Sequence, residues 1–438
     1  MVEVETKVQR YERYKESGVE WLGEIPAHWE ALANKFIFNL KKSKVGKKSD
    51  DYDLLSLTLK GIVIRNLENG GKFPAEFNTY QEVKKGDFVF CLFDVEETPR
   101  CVGLSDFDGM ITGAYTVMVP NENFDRSFLY YFYLNLDADK RMKPLYSGLR
   151  NTISKDNFFA FKTFVPPVKE QTSIAQFLDD KTTKIDDAIA IKEKQINLLK
   201  ERKQILIHKA VTRGLDDSAP LKYSGVEWIG EIPEHWELTR IKQCSNKISK
   251  GTTPSTEGRE ILQEGKVRFL KSENIFEGFI LDEPIFYIDE KTDFIMKRSS
   301  LEVNDVLFVI AGASLGKVAV ITEEILPANT NQAVAFVRPN NKIHPYFLSK
   351  YLVSNTIYEL TWLEAVQSAQ PNLSMESLGN FPVSLPPLSE QKEISEYIET
   401  ASRKIETAIS LKQQEIEKLK EYKMSLINGV VTGKVKVC

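Results

Sequence analysis

The 438-residue chain has four cysteines, four histidines and no run of eighteen apolar residues. Each scarcity removes a class of function. Without a long apolar run, no helix is expected to span a membrane. Cys91, Cys101, Cys244 and Cys438 are scattered, with no C-x-x-C spacing. That argues against a zinc site or a disulfide scaffold and suits a reducing cytoplasm. Cys91 and Cys101 are expected to be buried as small apolar groups. Residues 1–9 are charged and lack an apolar signal core. No metal site is expected. No His, Cys or carboxylate cluster recurs in both halves, which argues against duplicated catalytic centres. The formal net charge is −4. A small module living on phosphate contacts is usually basic, so the sum does not favour nucleic acid. Local patches outweigh the sum. One lies at Lys41, Lys42, Lys44, Lys47 and Lys48, where the bland alternative is a solvated loop.

What the chain does have is a repeat. Ser17-Gly18-Val19-Glu20-Trp21-Leu22-Gly23-Glu24-Ile25-Pro26-Ala27-His28-Trp29-Glu30 returns at 224–237 with two changes, Ile229 for Leu22 and Glu234 for Ala27. Val165-Pro166-Pro167-Val168-Lys169-Glu170-Gln171 returns as Leu385-Pro386-Pro387-Leu388-Ser389-Glu390-Gln391. The first pair is offset by 207 residues and the second by 220, so the frame repeats while its contents diverge.

The chain divides into four pieces: residues 1–165, 166–213, 214–385 and 386–438. The first and third are globular. Strand-like runs occur at Tyr52–Leu59, Phe88–Phe93 and Tyr115–Val119, with a helix around Arg126–Lys140. Val306–Ile310 and Ala333–Val337 are strand-like in turn, and Pro345–Leu363 is helical. Val117-Met118-Val119-Pro120-Asn121 aligns with Phe336-Val337-Arg338-Pro339-Asn340, each ahead of its unit's helix. The two units are therefore expected to share one mixed α/β fold.

Glu170–Arg213 and Glu390–Gly433 are long helices without internal proline. Ile185, Ile189, Ile196, Leu199, Leu206 and Ala210 follow alternating four- and three-residue steps, matched by Ile405, Ile409, Ile416, Leu419, Leu426 and Val430. That spacing is a coiled-coil seam. Lys192, Lys203, Lys412 and Lys423 interrupt it, their stems expected along the seam and their ammonium groups in water. Two equal seams in one chain most simply pack on each other; the alternative is a helical partner. Each Pro-Pro pair fixes the approach to its helix. The fold class is α+β: two similar mixed α/β units separated by an intramolecular antiparallel coiled coil, with pseudo-two-fold symmetry. Each helix, at about 40 residues, is roughly 60 Å long and would act as a ruler between two readers.

Trp21, Trp29, Trp228 and Trp236 could stack on bases, but their place in a shared frame argues for packing against the helices. Ala311-Gly312-Ala313-Ser314-Leu315-Gly316-Lys317-Val318 departs from the nucleotide-binding loop: three residues separate the glycines, and Val318 follows the lysine. A DNA-phosphate contact through Lys317 stays open. Neither Pro-Pro pair carries the polar and aromatic neighbours of an amino-methyltransferase motif.

This order of globular unit and Pro-Pro-x-x-Glu-Gln helix, twice over, resembles the specificity subunit of type I restriction–modification enzymes. The duplicated opening motif is similar too, as is Lys250-Gly251-Thr252-Thr253-Pro254-Ser255 with Arg268-Phe269-Leu270-Lys271 after it. The resemblance covers essentially the whole chain. It implies two target-recognition domains, each reading one half of an asymmetric bipartite duplex DNA site. The helices would set the spacer and dock two methyltransferase subunits, and restriction subunits would join for cleavage. The chain itself would be non-catalytic and would hold no cofactor; S-adenosylmethionine would belong to the methyltransferase, which modifies a flipped adenine. Base reading needs bidentate side chains, Arg or Lys to guanine and Asn or Gln to adenine. The candidates are Lys60, Arg65, Arg100, Arg150 and Asn151 in the first unit. In the second they are Lys271, Asn274, Asn329, Asn331, Gln332, Gln370 and Asn372, beside Lys250 and Thr252. A coiled-coil scaffold whose globular units bind proteins is the competing reading; steep salt dependence would mark DNA binding instead.

Overall fold

The computed structural model describes residues 9–66, 77–148, 150–276, 278–365 and 371–437. The chain forms two compact units, Met1–Lys192 with Gln413–Cys438, and Glu193–Lys412. The first unit is built on β1 (Phe38–Leu40), a hairpin of β2 (Leu55–Thr58) and β3 (Gly61–Ile64), then β4 (Phe88–Phe90), β5 (Val102–Leu104) and β6 (Thr116–Pro120). Strands β1-β6-β4-β5 lie in that order in one antiparallel sheet. The hairpin seats on edge strand β5. A Cβ at Gly103 would stand 2.7 Å from the tips of both Leu57 and Ile62, so a side chain there would push both aside. Helix α1 (Arg126–Ala138) starts where the Asp125 carboxylate accepts the Phe128 N–H. Its buried face, including Phe128, Phe132 and Tyr133, joins Phe38, Phe88 and Phe90 in one aromatic core. Helix α2 (Val168–Arg213) follows.

In the second unit the strands are β7 (Ser245–Lys250), the hairpin β8 (Ile275–Phe276) and β9 (Phe279–Ile280), then β10 (Val306–Val309), β11 (Val318–Val320) and β12 (Val334–Pro339). The sheet order β7-β12-β10-β11 is that of the first unit, strand for strand. Hairpin β8–β9 again sits beside the edge strand: Gly278 N–H donates to Val318 O at 2.9 Å. A second sheet pairs Val267–Leu270 with Tyr287–Ile288 and, in parallel, with Ala328–Thr330. The expected helix over Pro345–Leu363 is instead two, α3 (Pro345–Leu352) and α4 (Asn355–Ala365). Ser354 N–H turns back to the Tyr351 carbonyl, and a new helix starts from there. Helix α5 (Leu388–Val431) closes the order.

Both long helices end as their sequence dictates. Gly214 and Gly433 take φ +74° and +72°, the left-handed conformation that stops a helix. Seam positions Ile185, Ile196 and Ala210 are buried, as are Ile416 and Val430. Within the first unit Lys192 Nζ lies 2.5 Å from Glu415 and Lys423 Nζ 2.6 Å from Asp186. Within the second, Lys203 Nζ lies 2.7 Å from Glu406. In the first unit numbers rise on one helix as they fall on the other, so the paired segments there run antiparallel. The facing helix also puts a carboxylate within reach of each of these three lysines, at positions still open to solvent.

Cys91, Cys101 and Cys244 are buried free thiols, and burial pushes Cys101 up to about 12. Among the described residues no helix is long and apolar enough to cross a membrane. No group that could hold a metal ion occurs among them either.

Candidate nucleic-acid interface

The repeated motifs meet each other. In the first unit, the Glu170 carboxylate takes hydrogen bonds from Trp29 Nε1 (3.0 Å) and Tyr11 OH (2.7 Å), and His28 Nε2 lies 2.7 Å away. In the second, Glu390 takes Trp236 Nε1 at 3.1 Å, with His235 Nε2 at 2.9 Å. Trp29 and Trp236 are fully buried, so each indole N–H needs this acceptor. The neighbouring glutamine acts alike in both copies. Gln171 Oε1 accepts Asp125 N–H and Gln391 Oε1 accepts His344 N–H, the residues that precede α1 and α3. The repeated frame is thus a clamp that fixes sheet and helix within each unit. The tryptophans pack, as the repeat implied.

The clamp leaves one end of each sheet to the loops. In the first unit β1 and β4 run into that end, and β5 and β6 start from it. It carries Lys41–Val45, the Cys91–Thr98 turn and Arg100. Arg150 and Asn151 join through Asp94 N–H to Arg150 O (3.0 Å) and Val95 N–H to Asn151 O (3.4 Å). In the second unit the same end carries Lys250–Thr253, Asn331–Ala333 and the Ala311–Lys317 turn. Asn372 bridges to Ala311, and Leu373 N–H donates to Ile310 O as Ile153 N–H does to Leu92 O. The Ala311–Lys317 segment joins two strands rather than a strand and a helix, which agrees with rejecting a nucleotide loop.

A scan against protein families matches residues 103–201 and 233–421 to the type I restriction modification DNA specificity domain. The chain belongs to this family. It is 27% identical over 327 residues to the type I restriction enzyme MjaVIII specificity subunit of Methanocaldococcus jannaschii, covering 72% of each chain. Among solved structures it is similar to a chain from a study of complex assembly and conformational transition of the type I R-M system. The TM-score is 0.65 at 14% identity, over 93% of this chain and 98% of that one. The HsdS subunit of Thermoanaerobacter tengcongensis gives 0.52 at 15%, over 94% and 98%. At these identities the likeness shows the fold.

In this specificity-domain chain the predicted residues separate by environment. Lys42, Lys44, Lys47 and Lys48 are exposed. Lys41 is committed inward, 2.8 Å from the buried Asp87. Burial alone would raise the nearby Glu82 carboxyl, but hydrogen bonds from Ser43 and Lys84 and the charge of Lys41 hold it below its usual value. Lys60 is exposed at the tip of hairpin β2–β3, and Arg65 is exposed where β3 ends, at the far end of that hairpin. Arg100 is half-buried and donates from Nη2 to Leu59 O at 3.1 Å. Arg150 is exposed, and Asn151 takes φ +45°, a turn geometry that suits asparagine.

In the second unit Lys250, Thr252 and Asn331 are half-buried, and Gln332 and Asn372 exposed. Gly251 has no room for a side chain: a Cβ would fall 1.8 Å from Thr330 O. Lys317 lies over the Phe276 ring at 5.2 Å, and Lys271 over Phe286 at 3.3 Å. Asn274 and Asn329 are buried, and their amides serve the fold. Asn274 joins Lys271 N–H to Pro284 O, and Asn329 joins Thr330 N–H to Asp293 and Met296 O. Gln370 lies outside the described residues. Reasoning from sequence missed Thr253, which hydrogen-bonds Gln332, and the exposed apolar residues Leu59, Phe276 and Phe279. A leucine in a two-residue turn was the available signal, since turns favour Gly, Asn, Asp and Pro.

Proposed function

We propose that this chain is the non-catalytic DNA-specificity subunit of a type I restriction–modification enzyme. Each unit reads one half of an asymmetric, bipartite duplex site through the loops at the open end of its sheet. The exposed and half-exposed candidates at that end carry contacts: lysines to phosphates, and Arg150, Gln332 and Asn372 to base edges. The long helices set the spacer and dock two methyltransferase subunits, which hold S-adenosylmethionine and methylate adenine; restriction subunits join for cleavage. No cofactor is assigned to this chain, and the complex works in the cytoplasm. In these functional terms the chain divides at about residues 165, 213 and 385.

The observation that carries this reading is one clamp repeated around two sheets whose open ends share no loop sequence. A repeated frame with divergent loops is what two independent readers of one asymmetric site require. The test is detection of methylated adenine across the source genome, with the gene intact and deleted. A bipartite motif that vanishes on deletion is expected; an unchanged methylome alongside active partners would contradict it. Exchanging residues 31–160 with those of a relative should alter one half-site only.

A further inference from the structure

Each unit holds a hairpin with exposed apolar side chains at the open end of its sheet, with a cation beside it: in the first unit they include the turn residue Leu59, in the second the paired strand residues Phe276 and Phe279. In the first unit the tip is Leu59-Lys60, between the paired residues Thr58 and Gly61. Leu59 is 66% exposed, although nothing in a two-residue turn favours leucine. The tip is braced. Thr58 Oγ1 donates to Gly61 O and accepts Lys60 N–H, and Arg100, which leads into β5, holds the Leu59 carbonyl. The pair just behind the tip, Leu57 and Ile62, lies against Gly103. The second unit reaches the same arrangement with unrelated residues. Hairpin β8–β9 lies against β11 and exposes Phe276 and Phe279, 37% and 53%, with ring centroids 5.5 Å apart. Lys317, which leads into β11, stands over Phe276. Divergent hairpins that converge on exposed apolar side chains, an edge strand and a cation point to a shared task.

We propose that Leu59 is a wedge that enters the base stack of duplex DNA within the half-site read by the first unit, with Phe276 and Phe279 placed for the same task in the second. This rests on the specificity reading above. A wedge needs an apolar side chain on a stiff, narrow projection, and cations to hold the flanking phosphates. Leu59 has both, with Lys60 adjacent and the exposed Lys42 and Lys44 at the same sheet end. A partner that must extrude an adenine gains from a neighbouring step already unstacked. A protein surface is the other occupant an exposed leucine could have, but Lys60 next to it, Arg100 on its carbonyl and the exposed Lys42 and Lys44 elsewhere at the same sheet end favour a polyanion.

The experiment uses the full chain with its methyltransferase partner on a duplex carrying the mapped site. 2-Aminopurine is stepped through each half-site, and its fluorescence reports unstacking. The native complex should brighten one step in the first half-site apart from the methylated adenine. Leu59→Ala should abolish that signal, leave the second half-site unchanged and weaken binding about tenfold. A mismatch placed at that step should restore its affinity, because the unstacking is then already done. Leu59→Met should keep the signal. Lys60→Ala should keep it too, while lowering the salt slope by about one. The wedge is overturned if Leu59→Ala brightens and binds like the native chain, or if it sheds the methyltransferase while DNA distortion persists. It is also overturned if the native complex prefers its site yet unstacks no such step. A native complex with no sequence preference would instead refute the specificity reading itself.

Discussion

The two units solve one folding problem with different ions. Each central strand is preceded by a turn through a left-handed residue, Gly86 or Asn304, and a buried aspartate. Asp87 takes Lys84 N–H and Lys41 Nζ, both at 2.8 Å. Asp305 takes Glu302 N–H at 2.8 Å and a two-pronged Arg338 at 2.8 and 2.9 Å. The backbone role is common, while the cation comes from the loop after β1 in one unit and from within β12 in the other. Frame positions are set by backbone needs and stay alike. The side chains that answer them have drifted, and the loops at the open end have drifted furthest.

That contrast can be broken most forcefully at the buried aspartates. Asp305→Ala removes the buried bidentate partner of Arg338, leaves it only the exposed Glu302 and frees the Glu302 N–H, and should cost the second unit about 3 kcal/mol. Asp87→Ala should cost the first about 2 kcal/mol, because Lys41 is flexible and Glu82 stands 3.9 Å away as a substitute. Urea unfolding of the two variants measures the difference. The clamp carboxylates come next. Glu170→Ala leaves Trp29, Tyr11 and His28 without their acceptor and should cost about 3 kcal/mol; Glu390→Ala should cost about 2. Neither should change which sequence is bound, and a changed methylation motif would contradict their structural role.

Substitutions in the open-end loops should act on binding more than on stability. Gly251→Ala drives a Cβ against the Thr330 carbonyl and should weaken binding about tenfold through the second half-site alone. Lys42→Ala, on an exposed side chain, should leave stability unchanged within about 0.5 kcal/mol and reduce the salt slope by about one. The smallest effect concerns pH. Burial lowers the affinity of His208 and His344 for protons, and both lie in the second unit. The unfolded state then binds more protons than the folded one, so stability is full above the ordinary histidine value near 6.5 and falls below it. Replacing both with glutamine should flatten the pH dependence of unfolding between about pH 7 and 5.

Much of the fold was legible because repetition and period need no tertiary information. The helices, their seam and the paired strands followed from spacing alone. The break at Val353-Ser354 did not, since nothing in its apolar pattern interrupts a helix. At the site, exposed lysines were legible as charge, but polarity could not sort the amides. Asn274 and Asn329 look in sequence like Gln332 and Asn372, yet the first two cap backbone groups inside the fold. Leu59 was overlooked because an apolar residue in a turn is unremarkable until its exposure and bracing are known.

By itself the sequence determined the repeated frame, the two long helices with their stopping glycines, and the equivalence of the two units. These depend on local conformational preference and on spacing along one chain. Only the tertiary structure decided that Glu170 and Glu390 receive the buried tryptophans and that the seam lysines find carboxylates. It alone decided which polar side chains at the open end of each sheet remain available to a ligand. Those outcomes depend on which groups lose water together, and residues more than a hundred positions apart meet only when the chain has folded.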